Sequence, residues 1–372
     1  MSTTILHYLN LGSLPQALGH SFITLIPKVK DPTYFSEFRP ISLSNVLYHI
    51  FAKVLTNWLQ AIMPNLISEH QSAFLSNRLI SDNILVAFET LHYMRNHNQG
   101  KSGFMVLKLN ISKAYDRVEW EYIKRVMIKM GFHARWIQLM MRCITTASYS
   151  VLINGQPHEH ITSTHGLRPG DPLSPYFFLI CTEGLHGLIS KAAYNGDIRG
   201  VSLCRNGPRI THLLFADDSL LFCRAREEEC QSLLEVLAKY ERASGQQINC
   251  TKTTIFFSKS TNEDTQTTIQ NLLGVNIVRH YEKYLGLPSF VSCKKKESFT
   301  YIKQQVWKRI QGWEGKLLSQ AGREILIKVV AQSLPTYTMA CFKLPISLCH
   351  DLESMICRFF GGKGVIIGRF IG

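Results

Sequence analysis

The chain has 372 residues, 45% of them hydrophobic, which reads as a globular protein with a sizeable core and two or three subdomains. Its 41 Lys and Arg against 27 Asp and Glu leave a formal net charge of +14, which favours polyanionic partners through counterion release. No apolar run is long enough for a transmembrane helix, no internal period repeats, and the 10 Cys hold no CxxC pair; a membrane span, a repeat array and a cysteine framework are excluded, and a reducing intracellular setting is expected.

Between Phe22 and Leu43, Leu25-Ile26-Pro27-Lys28 and Phe38-Arg39-Pro40-Ile41-Ser42-Leu43 are short extended runs broken by prolines, with Lys28 and Arg39 at their edges. From Asn45 to Met63 the residues Val46, Leu47, Ile50, Phe51, Val54, Leu55, Trp58, Leu59 and Ile62 recur at helical spacing, so a core-facing helix is expected, stopped by Pro64. A second helix is expected over Asp82 to Asn96. Phe104 to Ile111 has the composition of a buried strand, and Tyr115-Asp116 lie where the chain turns into a helix from Val118 to Met130, with Gly131 as its C-cap.

A hairpin follows, with Tyr149 to Ile153 turning at Asn154-Gly155. The Gly/Pro-rich loop Gly166 to Pro175 feeds another helix, with Ser174 suited to the N-cap and Pro175 to the first helical position. Further on, a helix from Glu227 to Ala243 ends at Gly245, and Thr253 to Ser258 reads as a strand.

Between these last elements the run Leu213-Leu214-Phe215-Ala216-Asp217-Asp218-Ser219-Leu220-Leu221-Phe222 sets two adjacent carboxylates inside apolar sequence. Buried carboxylates are costly and repel each other, so the run reads as a divalent-metal platform at a hairpin tip, suited to phosphoryl or nucleotidyl transfer. A surface Asp-Asp turn is the plainer alternative. The 14 His offer no metal constellation, and Cys341, Cys349 and Cys357 read as helix-face packing.

In family order the chain carries Ile23-Thr24-Leu25-Ile26-Pro27-Lys28, Phe38-Arg39-Pro40-Ile41-Ser42-Leu43, Gln71-Ser72-Ala73-Phe74, Lys113-Ala114-Tyr115-Asp116, Gly170-Asp171-Pro172-Leu173-Ser174-Pro175, Phe215-Ala216-Asp217-Asp218 and Tyr284-Leu285-Gly286-Leu287-Pro288. This series resembles the reverse transcriptase domain of non-long-terminal-repeat (LINE-type) retrotransposons, most closely the plant elements. The resemblance implies an α+β right-hand polymerase, with an antiparallel palm sheet backed by helices and a mainly helical thumb. Residues 1–103 would be an N-terminal extension and fingers, 104–290 the palm with part of the fingers, and 291–372 a thumb or connection remnant.

What the resemblance implies for the site is specific. Asp217 and Asp218 would hold Mg²⁺ beneath the primer end. Tyr115 would lie under the nucleotide sugar as a gate against the 2′-hydroxyl. Lys28 and Arg39 would clamp the triphosphate, the loop with Gly166 and Gly170 would line the nucleotide pocket, and Lys252 would be a palm lysine that protonates pyrophosphate. Tyr284, Leu285 and Gly286 would form a primer grip. Lys294, Lys295 and Lys296, followed by Lys303, Lys308, Arg309, Lys316, Arg323 and Lys328, would make a basic thumb, with Trp307 and Trp313 marking a duplex-facing surface. The implied partners are an RNA template, a DNA primer and deoxynucleoside triphosphates, with no membrane, and the family makes a nuclear location plausible.

The chain departs from the family at Asn110, where the pattern has a metal-binding Asp ahead of the Lys-Ala-Tyr-Asp run; an amide carbonyl there leaves the cation site one negative charge short. Pro169 stands for the usual Gln, and His165 for the usual Arg. The tail from Gly361 lacks the family's continuation, and neither an endonuclease nor a ribonuclease H segment is expected with this chain. The expected activity is therefore an impaired RNA-directed DNA polymerase, with Mn²⁺ as an alternative metal. The alternatives are an inactive nucleic-acid-binding remnant and, more weakly, a group II intron maturase-like polymerase.

Overall fold

A computed structural model describes residues 2–11, 15–96, 103–205, 207–279, 283–291, 295–314 and 318–361. The chain divides into two compact units, one of Met1–Leu79 with His97–Ile277 and one of Ile80–Asn96 with Val278–Gly372. Among the described residues no helix is long and apolar enough to cross a membrane.

In chain order the strands of the first unit are β1 (His20–Pro27), β2 (Phe38–Ser44), β3 (Phe104–Leu109), β4 (Ser148–Ile153) and β5 (Gln156–Thr162). They continue with β6 (Val201–Ser202), β7 (Arg209–Ile210), β8 (His212–Phe215), β9 (Asp218–Arg224), β10 (Thr254–Phe257) and β11 (Asn276–Ile277). One sheet has the order β2-β1-β4-β5, with β1 antiparallel to β2 and parallel to β4. The expected turn at Asn154-Gly155 joins β4 to β5, both residues having positive φ (52° and 78°), as a type I′ turn requires.

The second sheet, ordered β11-β10-β3-β9-β8, is antiparallel except for the short β10–β11 pairing. Its central strands show no alternation: Met105, Val106 and Leu107 on β3, and every residue from Ser219 to Cys223 on β9, are buried. Such runs need cover on both faces. The helix Ser174–Asn195 is apolar around its whole circumference through Tyr176–Thr182, all buried, and therefore sits inside the unit rather than on its surface. The fully buried rings of Phe177 and Phe178 each contribute roughly 1.5–3 kcal/mol by leaving water. The helix Glu227–Ser244 packs beside it and ends at Gly245 with φ 75°, as its sequence indicated.

Two helix ends differ from expectation. Ser174 is the first helical residue rather than the cap, and its hydroxyl donates to the Arg168 carbonyl at 2.7 Å. The helix that Pro64 was expected to stop runs from Val46, capped by the Asn45 side chain, to Leu66 with Pro64 inside it. Pro64 removes only its own N–H from the last turn, and the end of that turn is closed by Arg78, whose guanidinium donates to the carbonyls of Pro64 (3.0 Å), Ile67 (2.7 Å), Gln71 (2.6 Å) and Ser68. One cation thus satisfies the open carbonyls at the helix C-terminus and fixes the path of the chain to Gln71.

The second unit is mainly helical, with helices Ile80–Asn96, Thr300–Glu314, Gln320–Leu326, Ser333–Met339 and Ile346–Phe360 and a π-helical turn at Ile327–Ala331. Phe299, Ile302, Val306 and Ile310 pack with Leu348, Leu352, Met355 and Phe359 in its core. Its short hairpin pairs β12 (Lys283–Tyr284) with β13 (Leu287–Pro288).

Replacing Arg78 with Met keeps the aliphatic stem and removes the fork. Losing charge-assisted bonds to four carbonyls is expected to cost about 3 kcal/mol, read as a lower urea midpoint at unchanged denaturant slope; an unchanged midpoint would contradict the clamp.

Candidate active site

The two aspartates stand where the sequence placed them, at the tip of the β8–β9 hairpin. Phe215 pairs with Asp218, so the loop is Ala216-Asp217 alone. Ala216 has φ 52°, in the first loop position where glycine is favoured, so the tip carries backbone strain. What holds it is Gln71, wholly buried, whose side-chain carbonyl accepts from the Ala216 N–H at 3.1 Å and the Ala73 N–H at 3.0 Å. The same segment runs along β8 like a further strand: Leu214 N–H donates to the His70 carbonyl at 2.8 Å, and Ser72 N–H to the Leu214 carbonyl at 3.2 Å. Gln71-Ser72-Ala73 therefore works as a brace for the carboxylate tip, a role the sequence did not disclose.

On the other side of β9, Leu109 pairs with Ser219 as the last pair of the β3–β9 ladder, and Asn110 follows directly beyond it, at the end of the ladder where β9 begins with Asp218. Asn110 is exposed, and its backbone is pinned by Thr253 Oγ1 (3.1 Å) and by the Asn249 N–H (2.8 Å). Residue 110 thus leaves β3 at the end of the sheet that carries the aspartate tip. Burial raises the Asp218 carboxyl above its ordinary value, the neighbouring Asp217 charge raises it further, and Lys108 opposes both. A site that resists ionisation when empty is one that a cation would relieve.

Tyr115 joins them. Its ring stacks on Phe178 at 4.8 Å, and burial, with the Asp217 charge, pushes its hydroxyl up to about 12. It stays a neutral donor at any physiological pH. Its carbonyl accepts from Leu167 N–H at 2.8 Å, tying it to the Gly/Pro-rich loop. Within that loop the two glycines differ. Gly166 has φ 84°, and a Cβ there would lie 2.6 Å from the Asp116 carbonyl oxygen, so it permits contact with the protein's own backbone. Gly170, at φ 78°, has nothing within 4 Å of that position and borders open space.

Farther along the loop Asp171 is buried against the Tyr48 hydroxyl and the Leu173 N–H (2.9 Å), and burial raises its pKa. Arg168, also buried, lies 4.1 Å over the Tyr48 ring and donates to the Gly19 carbonyl at 2.8 Å. The loop is therefore bolted to the helix Val46–Leu66 and to the start of β1.

Lys28 and Arg39 share the β1–β2 hairpin, Arg39 pairing with Ile26, and both are exposed; the Lys28 ammonium donates to the Ser36 carbonyl at 2.9 Å. Lys252 is exposed in the turn that leads into β10, its N–H held by Asn249.

In the second unit Tyr284 is buried, its hydroxyl donating to Asn83 Oδ1 at 2.8 Å, so its side chain supports the hairpin from inside. Leu285 and Gly286 form the tip, both at positive φ, with the Leu285 carbonyl accepting from the Tyr337 hydroxyl at 2.8 Å. Lys294, Lys316 and the tail beyond Gly361 lie outside the described residues. Lys296 and Lys303 both reach Asp351 at 3.1 Å, Lys328 pairs with Glu324 at 2.6 Å, and Lys295 opens the short helix Lys295–Ser298. Trp313 is partly buried and packs on Phe359 at 5.6 Å at the edge of the second unit's core, while Trp307 is exposed. The histidine reading also needs correction, because His70, His186 and His212 converge in the first unit.

Comparison with known proteins agrees with this geometry. The family described as reverse transcriptase (RNA-dependent DNA polymerase) matches residues 26–301. The 149 kDa protein of Transposon TX1 from Xenopus laevis is 25% identical over 342 residues, covering 89% of this chain and 25% of that protein. A Pol polyprotein from the type-1 retrotransposable element R2 of Popillia japonica is 25% identical over 249 residues, covering 66% of this chain and 33% of that one. The chain thus spans well under two thirds of these relatives. Apo telomerase from Candida tropicalis is similar in structure with TM-score 0.52 and 13% identity, over 96% of this chain and 67% of that one. The right-hand polymerase fold implied by the motifs is borne out.

Because the folded pKa of Asp218 lies above the unfolded one, the folded state holds its proton more tightly, and stability falls as pH rises from the ordinary carboxylate range through the raised value. Without divalent cation, Asp218→Asn is therefore expected to melt higher than the natural chain at pH 7, with the gap narrowing as the pH is lowered into the carboxylate range. Thermal melts at both pH values check this; a variant that melts lower at pH 7 contradicts it.

Proposed function

This chain belongs to the reverse transcriptase family, as the reverse transcriptase domain of a non-long-terminal-repeat retrotransposon, and on that premise we propose that it is an RNA-directed DNA polymerase whose metal site is weakened by Asn110. Its substrates are an RNA template, a DNA primer and deoxynucleoside triphosphates. The observation that supports the reading is the β3–β9 ladder, which ends at Leu109–Ser219 and so leaves Asn110 next in line at the strained Asp217-Asp218 tip.

Asp217 and Asp218 offer hard carboxylate oxygens on one hairpin tip, and the raised Asp218 pKa marks a place short of positive charge, so the residues present fit a divalent cation. When bound, Mg²⁺ supplies charge neutralisation at the phosphates and a lower pKa for an attacking hydroxyl. Asn110 contributes a neutral carbonyl in place of a third anion. If the missing charge removes ~4 kcal/mol of transition-state stabilisation, synthesis slows by roughly a thousandfold.

The chain's own groups take the remaining parts. Tyr115, neutral and fixed on Phe178, presents a flat ring beside the aspartates, where a sugar bearing a 2′-hydroxyl would collide. Gly170 leaves open space for the incoming nucleotide, and Lys28 and Arg39 bring positive charge to the triphosphate. Lys252 is the candidate proton donor to pyrophosphate. The departure at Asn110 also favours a second reading, a remnant that keeps nucleic-acid binding and has lost synthesis.

Primer extension on an RNA template separates the two. With Mg²⁺ the natural chain is expected to extend weakly, Asn110→Asp to extend at least about tenfold faster, and the Asp217→Ala, Asp218→Ala double variant not at all. No extension by any of them, with Mg²⁺ or Mn²⁺, favours the remnant; equal rates for the natural chain and Asn110→Asp contradict the weakened site.

A further inference from the structure

His70, His186 and His212 come from three separate elements and present ring nitrogens that all lie within 4.8 Å of one another. His70 directly precedes the Gln71 brace, His186 is on the helix Ser174–Asn195, and His212 is on β8, three residues before Phe215. The His70 and His212 rings stack at 4.2 Å, and His186 Nδ1 faces His212 Nε2 at 2.9 Å. We propose that these three histidines form a transition-metal site, with Zn²⁺ as its natural occupant, distinct from the paired aspartates.

Several observations converge on it. His212 is wholly buried, the other two are half-buried, and burial lowers the pKa of all three, His186 to about 4. They present neutral imidazoles at pH 7, the form that ligates metal. The outward nitrogens have orienting partners of the kind metal-bound histidines use: His212 Nδ1 meets Thr211 Oγ1 at 2.8 Å, and His186 Nε2 lies 3.3 Å from Ser190 Oγ and 3.9 Å from Glu183 Oε1.

Imidazole nitrogens round a tetrahedral zinc stand about 3.3 Å apart, given bonds of about 2.0–2.1 Å. The His186–His212 pair, joined by a nitrogen-to-nitrogen hydrogen bond, gives up that proton and opens by a few tenths of an ångström, and His70 turns out of its stack on His212 so that its ring plane contains the ion. Three histidines and a solvent molecule complete four-coordination. Neutral nitrogen ligands select zinc over magnesium, so the two sites do not compete. The consequence is mechanical. A metal here ties the segment before Gln71, the strand before the Asp hairpin and the central helix into one node behind the carboxylates.

The test uses the full chain, stripped with chelator and dialysed against limiting Zn²⁺, with retained metal measured by atomic emission. About one equivalent is expected on the natural chain and on the Asp217→Ala, Asp218→Ala double variant, with affinity at least about tenfold weaker for His186→Gln. Zn²⁺ should also raise the melting temperature of the natural chain and not that of His186→Gln. Should that variant fail to fold, Co²⁺ on the natural chain decides, because tetrahedral nitrogen ligation gives an intense visible band. Equal zinc retention by the natural chain and a folded His186→Gln overturns the site, as does a natural chain with neither zinc retention nor a visible cobalt band. Loss of zinc would leave the polymerase reading intact, since primer extension measures that separately.

Discussion

Two like charges on a strained two-residue turn are the constraint round which the first unit is organised. Neither the repulsion between Asp217 and Asp218 nor the positive φ of Ala216 would persist in an isolated hairpin. They persist because a chain of braces reaches them: Arg78 gathers the carbonyls at the end of the helix Val46–Leu66, the segment so fixed lays itself along β8, and Gln71 grips the Ala216 N–H. β3 and the rings of Phe178 and Tyr115 close the other side. Function is built here by over-determining a conformation the local sequence disfavours.

The Gly/Pro-rich loop follows the same logic with different chemistry. Buried Asp171 and Arg168 are held by Tyr48 from both sides, through a hydroxyl and through the ring face, so the loop cannot drift from the helix that ends in the Arg78 clamp. Tyr115 links to this loop through Leu167. The tyrosine ring, the loop and the aspartate tip are therefore tied into one frame within the first unit, the kind of support that the proposed nucleotidyl transfer would need.

Much of this was legible because it was local. Asp217-Asp218 within an apolar run, the Asn154-Gly155 turn and the glycine after the helix Glu227–Ser244 each announce themselves within a few residues. The proposed site's membership followed from family order, and the register of β3 against β9 leaves residue 110 directly after Leu109, the partner of Ser219. What was not legible depends on partners distant in sequence. Gln71 reads as a polar residue in a loop until β8 lies beside it, and the carbonyls at the end of the helix that contains Pro64 have no visible donor until Arg78 folds back onto them. Nothing in the neighbours of Trp313 or Tyr284 reveals that their side chains meet Phe359 and Asn83. The three histidines have no ligand spacing at all, and only the packing of β8 on the central helix brings them together.

On the proposed function, the cation site is short of one anion at residue 110. Calorimetric titration of Mg²⁺ into the natural chain and into Asn110→Asp tests it without reference to turnover. The account predicts that the added carboxylate tightens binding by at least about tenfold, or about 1.4 kcal/mol. Identical isotherms for the two proteins would contradict it.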